Sequence, residues 1–383
     1  MSARAAHAGA SHEVFHAPHN PWVIAIVATL ATFIEVLDTS IANVALPHIA
    51  GNLGASVNDS TWVLTSYLVA NAMVLPATAW LSSAIGRRNY YLIAVAIFTA
   101  SSFLCGLAPN LTSLVTFRVL QGLGGGGLQP LTQSILVDTF PPRLRGMGMA
   151  VYGMTVVVAP VIGPTLGGWI TDNYDWRWIF FINVPVGLLA LSLSLRYISD
   201  PPYLIRRSGP DRWRADFTGL AVIALGLGAL QIMLDLGERY DWFSSPFIVA
   251  SAALAGLGLV GGVLWELTRR EPILNLRVLG DRNLALACLH MLIFGAVGYF
   301  LKKFNFDPAP LVLGLVIAPI FELSLRQSLI MSGGSWTIFL QRPISLLLIG
   351  LSALLLGLAA WGMIVARRDW RAKLAEAEAG EKV

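Results

Sequence analysis

Long apolar runs separated by short polar loops constrain this 383-residue chain more than any other feature. Nine runs fall near 22–46, 61–83, 89–108, 112–136, 147–170, 178–198, 216–235, 247–266 and 284–300. Each is near or above the roughly 17–25 residues a helix needs to cross a bilayer core. Backbone N–H and C=O groups find no water there, so a spanning segment must pair them internally, as a helix does. Composition agrees: hydrophobic residues make up 56% of the chain and charged residues 13%, about half the charged share of a soluble domain. These observations predict an all-α polytopic membrane protein.

The charges order the spans. Arg87 and Arg88 lie in loop 84–90, Arg143 and Arg145 in 137–146, five Arg in 196–214, and Arg269, Arg270, Arg277 and Arg282 in 267–282. The alternate loops (47–60, 109–111, 171–177 and 236–246) hold only Arg177 and Arg239. Positive loops stay in the cytoplasm, so the N-terminus is expected there too. Loop 196–214, with Pro201, Pro202, Gly209 and Pro210, is the expected boundary after six spans. The net charge of +4 comes without any Lys/Arg-rich run, so no nucleic-acid partner is expected.

Catalytic and metal chemistry find no footing. Cys105 and Cys288 fall inside apolar runs and build neither a disulfide framework nor a metal site. His7, His12, His16 and His19 lie in the polar tail 1–21 at spacings that fit no helical face, and read as solvated. That tail lacks a cleavable signal pattern, and the first run reads as an uncleaved anchor. No nucleophile–base pair, zinc spacing or Walker loop is present, so no enzyme activity and no cofactor are expected.

Charges inside the spans carry the functional signal. Glu35 and Asp38 share one face of the first span, one turn apart. An acid at that depth costs about 2.5–3.5 kcal/mol on insertion scales and is a functional candidate by default. Two such acids suggest an aspartyl protease only if they converge from two helices, and these sit on one. Arg118, one turn before Gln121 in the fourth span, cannot discharge and must find an acid, a carbonyl or water. Asp38 or Glu35 is its natural partner, either as a proton switch or as a static pair. Gly122, Gly124 and Gly127 form a nominal dinucleotide motif, but no strand precedes it, so close helix packing is the reading. Gly163, Gly167 and Gly168 read the same way, with Pro160 and Pro164 adding bends. Trp176, Trp178 and Phe180 fit an interfacial aromatic belt, and Asp172, Asp175 and Arg177 fit loop ion pairs.

Several runs together carry a family resemblance. They are LDTSIANVALP at 37–47, RVLQG at 118–122, PVIGPTLGG at 160–168, WIFFINVP at 178–185, LQIMLD at 230–235 and DWFSS at 241–245. Residues 22–300 resemble the 14-helix drug:proton antiporters of the major facilitator superfamily, of the EmrB/QacA type. The resemblance implies a six-helix N-terminal half over 22–198, made of two inverted three-helix repeats. It implies two extra helices within 199–270 and an incomplete second half beginning at 271–300. It also implies proton-driven export of amphipathic drugs across a bacterial inner membrane, often with a periplasmic adaptor and an outer-membrane channel. Asp38, with Glu35, would carry the proton; Arg118 and Gln121 would join Asp38 along the cavity. Pro160, Gly163, Pro164, Gly167 and Gly168 match the antiporter motif between halves. Gly86, Arg87 and Arg88 match part of the cytoplasmic loop motif, but Ser83 and Ala84 replace its Asp and Arg, which puts its gate salt bridge in doubt.

Beyond the ninth span the pattern changes. The runs GYFLKKFNFDPAPLVLGLV at 298–316 and RQSLIMSGGSWTIFLQRPI at 326–344 resemble the large membrane subunit of tripartite tricarboxylate transporters. Lys302, Lys303, Arg367, Arg368, Arg371 and Lys373 then emerge on the wrong side for the charge rule, as a fused gene would leave them. Three readings stay open: a proton-driven exporter restored by homo-oligomerisation, a rearranged membrane protein without transport, and an accessory of tricarboxylate uptake.

Overall fold

A computed structural model describes residues 18–201, 216–269 and 276–303; among these, every regular element is a helix. Contacts divide the chain into one unit through Ala296 and a second from Val297. Of the second unit only 297–303 is described, so most of the tail likened to tricarboxylate transporters lies outside the described residues.

The first unit is built on α1 (Pro21–Leu53). Asn20 caps it, accepting from the Trp22 amide at 2.9 Å, and Pro21 occupies its first turn, where a missing N–H costs nothing. It ends at Gly54, whose φ of 62° is the left-handed conformation glycine adopts without strain. The second span is bent. After a short turn, α2 (Val57–Ser60), α3 (Trp62–Val74) meets α4 (Ala77–Ile85) at 60°, across Leu75 and Pro76. Gly86, at φ 87°, turns the chain sharply into α5 (Arg87–Gly106). The fourth span is broken too, into α6 (Leu111–Gly125) and α7 (Leu128–Thr139). By contrast α8 (Arg145–Asn173) runs unbroken through Pro160 and Pro164. Then come α9 (Trp178–Phe181), α10 (Asn183–Tyr197), α11 (Phe217–Leu236), α12 (Pro246–Thr268) and α13 (Arg282–Lys303). Among the described residues, six helices are long and apolar enough to span a membrane, or seven with the bent pair.

Packing centres on α1, which touches α7, α8 and α10. Two apolar clusters line it: one holds Ile24 to Ile34 with Tyr91 and Phe98, the other Leu37 to Ile49 with Leu114 and Phe180. Glu35 and Asp38 lie at the seam between them. Glycines bring the helices within backbone contact: a Cβ on Gly122 would sit 2.4 Å from the Tyr67 carbonyl oxygen on α3, and one on Gly124 2.7 Å from the Phe98 nitrogen on α5. The G-x-G-x-x-G run is therefore a helix-packing device. The two extra helices, α11 and α12, pack together through Gly226 and Gly258, and α11 leans on α3. There Asp235 accepts from Thr65, and Arg239 reaches Thr61 Oγ1 at 2.5 Å.

The aromatic belt needs correction. Trp178 is exposed, but Trp176 and Phe180 are 2% and 0% exposed and belong to the core around α1. The turn into α9 folds them inward, so only alternate aromatics of that run face outward. In the same loop Arg177 pairs with Asp175 at 3.6 Å, while Asp172 lies 3.9 Å from His48.

Candidate functional site

The site is assembled from five spans at the seam of the two clusters. Arg118 on α6 and Asp38 on α1 are 0% and 1% exposed, and Arg118 Nη1 donates to Asp38 Oδ2. Arg118 Nε donates to the Val63 carbonyl at 2.9 Å, and Nη1 also donates to Gln121 Oε1 at 2.8 Å. The guanidinium lies 4.4 Å from the Tyr67 ring centroid and 5.5 Å from that of Phe180, a cation over two aromatic faces. Asp38 Oδ1 accepts from Asn183 Nδ2 at 2.7 Å and from Gln121 Nε2 at 3.1 Å. Both amides also donate to Ser102 Oγ, at 3.0 and 3.3 Å, and Ser102 donates to the Phe180 carbonyl at 3.0 Å. Among the described residues the hydrogen bonds to Asp38 come from N–H donors, the bonding a carboxylate accepts.

Glu35 forms a separate centre. Its Oε1 accepts from Tyr67 at 3.0 Å and Asn71 at 3.2 Å, and its Oε2 from Gln129 at 2.9 Å. Gln129 in turn accepts from Tyr152 on α8 at 3.1 Å, and Tyr152 accepts from Gln133 at 2.9 Å. Tyr67, Asn71 and Gln129 are all neutral. Of the two carboxylates that the sequence offers to Arg118, the structure pairs Asp38 with it and cages Glu35 in amides and phenols.

The antiporter-motif residues lie against the same stretch of α1. A Cβ on Gly163 would meet Ser40 Oγ at 2.2 Å, and one on Gly167 would meet Ile41 at 3.2 Å. Ser40 donates to the carbonyl of Pro160 at 3.3 Å. Gly168 has nothing within 4 Å, and α8 is the least buried of the six spanning helices.

The loop around Gly86 gains a salt bridge that its sequence pattern does not announce. Arg87 pairs with Asp138 at the end of α7 and donates to Ser134 at 2.5 Å. The Arg88 amide donates to Asp200 at 2.7 Å, and its guanidinium to the Leu195 carbonyl at 2.6 Å. Ser83, standing where the motif has Asp, donates only to the nearby Trp80 carbonyl. Sequence reasoning missed Asp138, Ser102, Tyr67, Asn71 and Gln129. Asn183 stood in a quoted run, without a role.

Comparison with known proteins fits this geometry. The Major Facilitator Superfamily model matches residues 28–370. The chain is 44% identical over 280 residues to multidrug export protein EmrB of Escherichia coli K12, covering 72% of this chain and 54% of that protein. It is 43% identical over 302 residues to fatty acid resistance protein FarB of Neisseria gonorrhoeae, covering 76% and 58%. Against multidrug transporter protein MdtP of Bacillus subtilis it is 35% identical over 255 residues, covering 66% and 46%. The chain spans about half the length of these relatives. The match over residues 28–370, most of this helical chain, places it in the Major Facilitator Superfamily, a family of transporters rather than enzymes.

Proposed function

We propose that this chain exports amphipathic small molecules across a bacterial inner membrane in exchange for protons, with its N-terminus in the cytoplasm. The buried pair of Asp38 and Arg118 carries the reading. Arg118 keeps its charge at any working pH. A proton on Asp38 removes the charge that holds it, leaving the guanidinium the Val63 carbonyl, Gln121 and the Tyr67 ring. An uncompensated buried charge is costly, so protonation favours a rearrangement that admits water or substrate. Glu35 supplies a second carboxylate three residues away. The names of the relatives, multidrug export and fatty acid resistance, support an amphipathic substrate.

Alternating access rocks one helical bundle against another. A second copy of the chain, docked on the open face of α8 around Gly168, would set such a bundle against this one. A periplasmic adaptor and an outer-membrane channel would complete the export route.

The test is drug susceptibility in cells lacking their own exporters. The chain should raise resistance to amphipathic drugs several-fold, and Asp38→Asn at equal membrane level should not. Resistance equal to that of the empty vector would mean that the bundle inserts but does not transport.

A further inference from the structure

Tyr67 belongs to both polar centres. Its hydroxyl donates to Glu35 at 3.0 Å, and its ring centroid lies 4.4 Å from the Arg118 guanidinium carbon. The side chain is fully buried on α3. Glycine on α6 makes room for it: a Cβ on Gly125 would come within 2.6 Å of its hydroxyl. Phe180 also faces Arg118, and Asn71 and Gln129 also hold Glu35, but among the described residues only Tyr67 does both. The charged and titratable groups around it are Glu35 and Asp38 from α1, Arg118 from α6, and Tyr152 from α8 through Gln129. Cys105 on α5 turns to Gln121, and Asp235 on α11 meets Thr65.

We propose that Tyr67 is a positioning residue that couples the two carboxylates. A phenol donating to an ionised carboxylate is polarised toward its ring, and an electron-richer ring attracts a cation more strongly. An ionised Glu35 thus strengthens the hold of Tyr67 on Arg118, in competition with Asp38. A proton arriving at Glu35 weakens that hold and returns Arg118 to Asp38. The state of one acid is thereby felt at the other, through one side chain that exchanges no proton itself. This inference rests on the proton-exchange reading.

Two variants separate the two contacts. Tyr67→Phe keeps the ring and removes the hydroxyl; Tyr67→Leu removes both. In a pH series of proton-driven transport, Tyr67→Phe should move the profile to higher pH by about 1–2 units, the worth of one hydrogen bond to a carboxylate. It should leave the profile of Glu35→Gln where it is. Tyr67→Leu should still move the profile in the Glu35→Gln background, because the ring acts through Arg118. A merely structural Tyr67 would scale activity down equally at every pH. A Tyr67→Phe profile superimposed on wild type, or a silent Tyr67→Leu in the Glu35→Gln background, would overturn the coupling. The same variants are titrated by the infrared carboxyl band of the purified protein, which requires no transport. If the wild type transports nothing, the export reading fails and the band alone decides the coupling by the same shifts.

Discussion

Arg118 carries a charge it cannot shed into a place no water reaches, and its surroundings are arranged to answer that. Breaking a buried pair by removing one partner costs about 3–5 kcal/mol, whereas removing both charges together is often neutral. Arg118→Leu should therefore lower the thermal stability of the purified protein markedly, and Asp38→Leu combined with Arg118→Leu should recover most of it. A double variant no more stable than the single one would show that the pair contributes little as a pair. The charged members of this centre were legible in the sequence because an ionised side chain in an apolar run stands out. Ser102, Asn183 and Gln129 were not, because a neutral amide or hydroxyl in a membrane helix reads as an ordinary packing residue. Asp138 was hidden differently: it falls in the stretch 137–146 read from the sequence as an arginine-bearing loop, and its pairing with Arg87 joins positions 51 residues apart.

At the scale of elements, all nine apolar runs coincide with helices, because their length and hydropathy leave the backbone no alternative in lipid. Where they break was less legible. Pro76 bends the second span by 60°, while Pro160 and Pro164 sit inside an unbroken α8. Proline removes a donor in each case, and the neighbouring contacts that decide whether the helix breaks are not in the local sequence. Glycine function splits in the same way. A Cβ on Gly226 would lie 2.9 Å from the backbone of Gly258, whereas Gly256 faces open space. Gly226→Leu should force α11 from α12 at a cost of about 1–3 kcal/mol, read as a lower melting temperature. Gly256→Leu should leave the melting temperature unchanged. Equal effects at the two positions would remove the close approach from the account.

For the whole molecule, the family motifs pointed to a facilitator-type bundle, and the match over residues 28–370 bears out the family. Among the described residues the least buried spanning helix is α8, which carries the run likened to the antiporter motif. One edge of that motif is closed against Ser40 and Ile41 of α1, and the other is open at Gly168. If a second copy docks there, Gly168→Cys should form a disulfide-linked dimer on oxidation in membranes. A monomer under those conditions would place the junction elsewhere. The central claim is that Asp38 lets this bundle exchange protons for an amphipathic substrate. The most direct test is dye uptake by everted membrane vesicles containing this chain alone, with and without a proton gradient, beside Asp38→Asn inserted to the same level. Gradient-dependent uptake that the substitution abolishes is the expected result. Equal uptake by both proteins, or none by well-inserted wild type, would contradict it.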